Sequence, residues 1–200
     1  GLAVGPAVPA EVKTLKDFLA WCKNNPDKAS FGSPGAGTQP HLIGSLLSLR
    51  SGIKLSHVPY RGTAPAVSDL AGGQIAAVMG PSGDFLSYYK AGKLRVLATS
   101  GPKRNPYLPN VPTFAEQGFS DLTAEEWFGF YANAKTPADV RQRAHAAIVA
   151  ALKSDALKES LGVVGLIATS STPEEMARSQ QAEFERWGAL VKQIGFTGDS

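Results

Sequence analysis

The chain has 200 residues, 43% of them hydrophobic and 18% charged, with a net charge of +3 and a single cysteine. That length gives one large domain or two small ones enough chain for a real core. Scattered cations without basic runs argue against nucleic acid, no apolar stretch reaches membrane-spanning length, and the lone Cys22 excludes an internal disulfide.

Residues Gly1 to Ala10 read as an extended lead-in punctuated by proline and glycine. The start at Gly1-Leu2-Ala3-Val4, without methionine, suggests a processed or trimmed molecule. Thr14 to Asn25 has Leu15, Phe18, Leu19 and Cys22 at helical spacing and stops at Asn25-Pro26. A strand at Ala29-Ser30-Phe31 then feeds a glycine turn and a helix that runs to Arg50. Leu55 to Val58 reads as a strand closed by Pro59-Tyr60-Arg61-Gly62, with a helix from Thr63 to Leu70 behind it. Ile75 to Met79 has the character of a buried strand, and Gly80 to Asp84 forms the next turn. A further helix, ending at Ala91-Gly92, leads to a strand at Leu94 to Ala98.

This alternation of strand, polar turn and helix predicts an α/β fold with a mainly parallel sheet flanked by helices. The pattern breaks at the Pro-rich stretch from Gly101 to Pro112, after which Thr113 caps a short helix through Gln117. Beyond Gly118, a strand is expected at Glu126 to Ala132 and helices from Pro137 through Ile148 and from Ser154 to Leu161. A last helix is predicted from the Thr172-Pro173-Glu174-Glu175 start to about Ile194.

The turn from Phe31 to Leu42 is the most informative stretch. Gly32, Gly35 and Gly37 let the backbone approach a ligand closely, while Ser33 and Thr38 add hydroxyls, Thr38 at the N-cap position. Unpaired amides and partial positive charge at a helix start favour a small anion. A P-loop is ruled out because Gly37 is followed by Thr38-Gln39 with no lysine; a dinucleotide fingerprint fails because Pro40 stands where the third glycine belongs. Neither Ser33 nor Ser82 has the flanking glycines of a nucleophile elbow. A tight turn with a capped helix and no ligand is the alternative reading. In a parallel sheet the ligand crevice lies at the carboxyl ends of the strands, and three turns occupy that end: Ser33 to Thr38, Tyr60 to Gly62, and Ser82 to Asp84. No metal site is expected, since His41, His57 and His145 are far apart in sequence, and no catalytic residue is assigned because no base is evidently paired to a nucleophile.

Several motifs in order carry a resemblance. They are Phe31-Gly32-Ser33 with Gly37-Thr38 and His41-Leu42, His57 to Gly62, Asp69-Leu70 with Gly72-Gly73-Gln74, Lys90 to Arg95, Val111-Pro112-Thr113, Trp127-Phe128-Gly129 and Thr172-Pro173-Glu174. Over essentially its whole length the chain resembles the solute receptors of tripartite tricarboxylate transporters, the Bug or TctC family of bacterial extracytoplasmic binding proteins. The resemblance implies a type II periplasmic-binding-protein lobe, a periplasmic location, a small carboxylate ligand, permease subunits as partners, no cofactor and no catalysis. Residues 1–13 would be a crossover segment, 14–117 the ligand-binding second lobe, and 118–200 elements returning to the first lobe. Members of that family carry roughly a hundred further residues ahead of this point, so lobe one would be incomplete here.

Carried over residue by residue, the resemblance assigns Ser33, Gly35, Gly37 and Thr38 to one ligand carboxylate. His41 is either a ligand or a packed histidine. Tyr60, Arg61 and Gly62 would offer a phenol and a cation at the cleft, with Arg61 standing where lysine is common; a solvated arginine is the alternative. Ser82 and Asp84 lie in a turn that departs from the family's aspartate-containing loop. Asp84 in the cleft would repel a second carboxylate or accept a ligand ammonium. Glu126 would likewise select against dianions, beside an apolar wall from Trp127; for both carboxylates a solvated surface position is the alternative. A ligand-presenting subunit for a sensor kinase and an enzyme acting on a carboxylate are the alternative functions.

Overall fold

The structure is a computed structural model that describes residues 1–197. Five strands form one sheet in the order β3-β2-β4-β1-β5: β1 Leu2–Val4, β2 Ser30–Ser33, β3 Ser56–Pro59, β4 Ala77–Met79 and β5 Arg95–Ala98. Strand β2 pairs in parallel with β3 and β4, whereas β1 runs antiparallel to both β4 and β5. Four strands therefore point one way and only β1 opposes them.

That opposed strand corrects the sequence reading, which took residues 1–10 as a lead-in. Leu2–Val4 is fully buried in the sheet, and its partners lie more than seventy residues away. A three-residue strand carries too little alternation to declare itself, and its burial comes entirely from distant neighbours.

Helices cover both faces. On one side lie α1 Leu15–Asn24 and α2 Gln39–Ser51; on the other lie α3 Thr63–Ala71 and α4 Ser82–Lys90. The strand pleat sorts the side chains between them: Leu2, Val4, Met79 and Leu97 face the first layer, while Ala3, Val78 and Val96 face the second. Helix α1 begins at a reciprocal cap in which the Asp17 amide donates to Thr14 Oγ1 and the Thr14 amide donates to Asp17 Oδ2. These bonds, that from Thr14's side chain first, hold the Asp17 carboxyl below its ordinary range. Cys22 is buried and unbridged, and burial pushes its thiol up to about 12.

The C-terminal third differs in character. Helices α5 Ala138–Leu152, α6 Asp155–Val163 and α7 Pro173–Ile194 contain no buried residue, and Phe128, Phe130, Tyr131, Val163 and Phe184 are exposed. Helix α7 packs against α2, with Trp187 and Leu190 on the core, and the end of α6 and the turn after it lie against Tyr107 and the start of α4 at Gly83. The strand expected at Glu126 to Ala132 does not form: residues 125–132 pair with no strand among the described residues. An apolar, aromatic-rich run has strand character only where a neighbouring edge accepts its backbone bonds, and here none stands beside it.

Candidate functional site

Because β3, β2 and β4 are parallel neighbours, the turns that follow them emerge side by side at one end of the sheet. The turn after β2 sits in the middle, and the β3 turn is laced to it: the Tyr60 amide donates to Ser33 O and the Gly62 amide donates to Pro34 O.

Within the central turn, Gly35 is the hub. Its carbonyl accepts from the Ser33 hydroxyl at 3.0 Å, the Thr38 hydroxyl at 2.7 Å and the Thr38 amide at 3.3 Å. Thr38 does stand at the N-cap of α2, but its side chain is turned back into the loop and makes no cap bond. The helix start is consequently left without the side-chain oxygen that usually occupies it. Gly37 has φ of +75°, a conformation a Cβ would strain, and a Cβ there would also meet the Phe196 ring at 3.0 Å.

The cluster behind this loop was not legible as such. The Gly37 amide donates to His41 Nδ1 at 3.0 Å. The His41 ring stacks on His57 with centroids 3.8 Å apart and planes 23° from parallel. His57 Nε2 lies 2.8 Å from Ser33 Oγ. Phe31 flanks both imidazoles, and Phe196, just after α7, meets His41 edge-on at 5.3 Å. Burial lowers His41 below the usual histidine value, and burial followed by repulsion from His41 pushes His57 down to about 4. A cavity of about 310 Å³ opens beside the pair, bounded by Ser45, Pro59, Ile194 and Phe196.

Two expectations are corrected here. His41 and His57 are far apart in sequence but stacked in space, and Ser33 does have a base against it. No group of three or more ligating side chains gathers among the described residues. His57 is the residue that sequence reasoning left out of the site. The serine–histidine contact also has a plain structural use, because Ser33 is wholly buried with its hydroxyl already bonded to Gly35. Ser33→Ala is expected to cost about 1–2 kcal/mol in urea denaturation, because the imidazole and the Gly35 carbonyl each lose a partner.

The other predicted residues lie around this centre. Tyr60 donates its hydroxyl to Asp69 Oδ2 at 2.9 Å, and burial and then that carboxylate push the phenol up to about 12. Arg61 is exposed, and Gly62, with φ of +101°, starts α3. Ser82 opens α4 and Asp84 is exposed in its first turn. Burial raises the Glu126 carboxyl, the Gly1 ammonium opposes this, and Asp84 adds to the rise, which puts Glu126 and Asp84 in one acidic neighbourhood. Trp127 turns to α7 instead, its indole N–H donating to the Glu183 carboxylate at 3.0 Å.

A family model described as the tripartite tricarboxylate transporter family receptor, TctC, matches residues 1–196. The chain belongs to this family. Among TctC relatives, the protein BugT of Bordetella pertussis is 32% identical over 185 residues, 92% of this chain and 57% of BugT. A structure described as that of a periplasmic transporter aligns with a TM-score of 0.85 and 36% identity, over 97% of this chain and 63% of that one. The R. palustris protein Rpa4515, solved with adipate, aligns with a TM-score of 0.88 and 29% identity, over 97% of this chain and 64% of its own. The α/β fold with its mixed sheet is thus that of periplasmic binding proteins of the TctC type. The chain spans under two thirds of the length of each of these three proteins.

Proposed function

We propose that this chain supplies the ligand-gripping lobe of an extracytoplasmic solute receptor, and that the turn from Ser33 to Thr38 holds one carboxylate of a small organic acid. The observation that carries this reading is the uncapped start of α2. Thr38 spends its hydroxyl on Gly35, Pro40 has no amide hydrogen, and no side chain answers the first-turn amides of a 13-residue helix. An anion placed there gains hydrogen bonds and the favourable end of the helix dipole, a gain of about 0.3–1 kcal/mol from the dipole alone at an exposed site. The adipate bound to Rpa4515 supports a carboxylate as the anion.

In the same reading, residues 1–13 enter the gripping lobe by way of β1, which sits in its sheet between β4 and β5, residues 14–117 form the rest of that lobe and 118–200 return to the other lobe. The exposed Phe128, Phe130 and Tyr131 and the absence of any buried residue in α5 and α6 support that division, for they leave apolar surface open to solvent. Capture is closure of two lobes on a ligand that favours the closed state, followed by delivery to membrane permease subunits in the periplasm. No bond is made or broken. Arg61 supplies long-range attraction for the acid, while Asp84 and Glu126 discourage a second carboxylate on the β4 side of the turn.

One lobe encloses only part of a ligand, so binding to this chain alone is expected to be weak. Malate and adipate titrated into ¹⁵N-labelled chain should move the amide resonances of residues 35–41, with saturation only in the millimolar range. Shifts confined to other surfaces would remove the turn from the site, and micromolar affinity would overturn the need for a second lobe. The Ser33–His57 contact favours one rival reading, acyl transfer from a serine nucleophile. Hydrolysis of p-nitrophenyl acetate that Ser33→Ala abolishes would establish it; the expected result is no turnover above buffer in either protein.

A further inference from the structure

We infer that holding an anion at the turn takes up a proton at the stacked His41–His57 pair, with His41 acting as a proton-operated latch on Gly37. The inference rests on the carboxylate reading of that turn and adds its regulation.

The geometry begins with a conflict over one amide. Gly37 N–H lies in the turn assigned to the anion, yet it is donated to His41 Nδ1. A nitrogen that accepts is bare, so the neutral His41 ring carries its proton on Nε2. Adding a proton at Nδ1 turns the acceptor into a donor. Two donors then face each other and cannot bond, so the Gly37 amide is released, and an oxyanion brought to the turn can accept from both, with a positive charge behind the Nδ1–H. One protonation thus converts a self-satisfied loop into one with two N–H donors for an oxyanion.

His57 limits the uptake to one proton. Its ring lies 3.8 Å from that of His41, so a second charge would stand face to face with the first. Its Nε2 is tied to Ser33 Oγ, whose hydroxyl also reaches Gly35 O. A hydroxyl has one hydrogen to give. While Ser33 donates it to Gly35, His57 donates from Nε2 to Ser33, and the chain of bonds runs from the ring pair into the hub of the turn.

No fixed countercharge competes with the ligand. From β2, α2, β3 and the turn after α7, the side chains facing the rings are Phe31, Ser33, Ser45, Pro59, Ile194 and Phe196. None of them titrates near neutrality, so the two imidazoles are the titratable groups of this cluster among the described residues. Burial keeps the pair neutral without a ligand, consistent with the lowered values of both rings. An arriving anion supplies the missing opposite charge. By linkage, a ligand that prefers the protonated form binds more tightly as pH falls, by at most about tenfold per pH unit for one proton.

The test uses the 200-residue chain, ¹⁵N-labelled, with malate and with sulfate, whose charge is constant over the range. Between pH 8 and pH 4 the Gly37 amide is expected to titrate with the same midpoint as the His41 ring, and either anion should move that midpoint upward. Affinity for sulfate should rise several-fold from pH 8 to pH 6. In His41→Asn, whose Oδ1 can still accept from Gly37 but does not titrate, affinity should stay constant within twofold over that span. A Gly37 amide indifferent to the His41 titration overturns the latch. So does sulfate binding that is flat in the unaltered chain, or an equal pH slope in His41→Asn. If neither anion perturbs Gly37 at any pH, the anion-binding turn itself falls, and the latch with it.

Discussion

Phe31→Ala is expected to remove about 3–5 kcal/mol of stability, a large part of what a domain of this size has to lose. The ring is 1% exposed and fills the layer between β2 and α2. Its fit is tight on the helix side, because a Cβ built on Gly44 would lie 2.2–2.7 Å from three Phe31 ring carbons, well inside van der Waals contact distance. Gly44 is therefore the glycine of α2 that packing requires, and it makes the reciprocal test. Gly44→Ala should cost about 1–3 kcal/mol through overpacking. Combined with Phe31→Leu, its penalty should shrink, giving a coupling energy of about 1 kcal/mol in a double-mutant cycle. Urea denaturation measures all four proteins. A Gly44→Ala chain as stable as the parent would show that α2 does not lie against Phe31 in this way. The same ring flanks His57 at 5.0 Å, so Phe31→Ala should also broaden or shift the histidine ring resonances.

Phe31 also illustrates what the sequence does and does not carry. The alternation of apolar runs with capped helices identifies β2 to β5 and every long helix, because those signals are local: Thr14 and Thr172 each sit three residues ahead of an acid and close a reciprocal cap. Strand β1 escapes notice because its burial comes from residues 77–79 and 95–98. The run at 126–132 misleads for the opposite reason, having strand composition but no edge to join.

The histidine cluster is hidden by register. Parallel pairing sets Phe31 opposite His57 and Ser33 opposite Pro59. Side chains two apart on a strand share a face, so this single register brings Ser33 and His57 together. Spacing within the sequence identifies two neighbouring strands but not how far one slides along the other. The glycine turn was legible because its chemistry is contained in six consecutive residues. Its latch was not, because it is assembled from β2, β3, α2 and the turn after α7.

Acidification should expose that assembly directly. His57 is held near 4 in the folded chain, against 6.5 for an unperturbed histidine. Between those two values the unfolded chain binds a proton that the folded chain refuses, so the contribution of His57 is complete above about pH 6.5 and falls as pH drops toward 4. A shift of this size corresponds to about 3 kcal/mol at full burial, and the partial exposure of His57 reduces the expectation to roughly 2 kcal/mol. His41, lowered in the same direction, adds to the slope. Carboxylates with lowered values, such as Asp17 and Glu175, lose their contribution only as pH falls through the carboxylate range, and the raised Glu126 acts with the opposite sign. The buried Gly1 amino group, lowered from 8.0 to about 5, acts with the same sign between pH 8 and 5, so the window from pH 6.5 to 4.5 belongs to the imidazoles and this group together. Denaturation midpoints across it should fall steeply in the unaltered chain and markedly less in His57→Gln, which keeps a polar partner for Ser33 without titrating. Saturating sulfate should flatten the same limb, since a bound anion lets the folded state accept the proton it otherwise excludes. Equal slopes for parent and His57→Gln would mean that the stacked pair stays protonated in the fold and that its burial is not what holds the turn in its unliganded form.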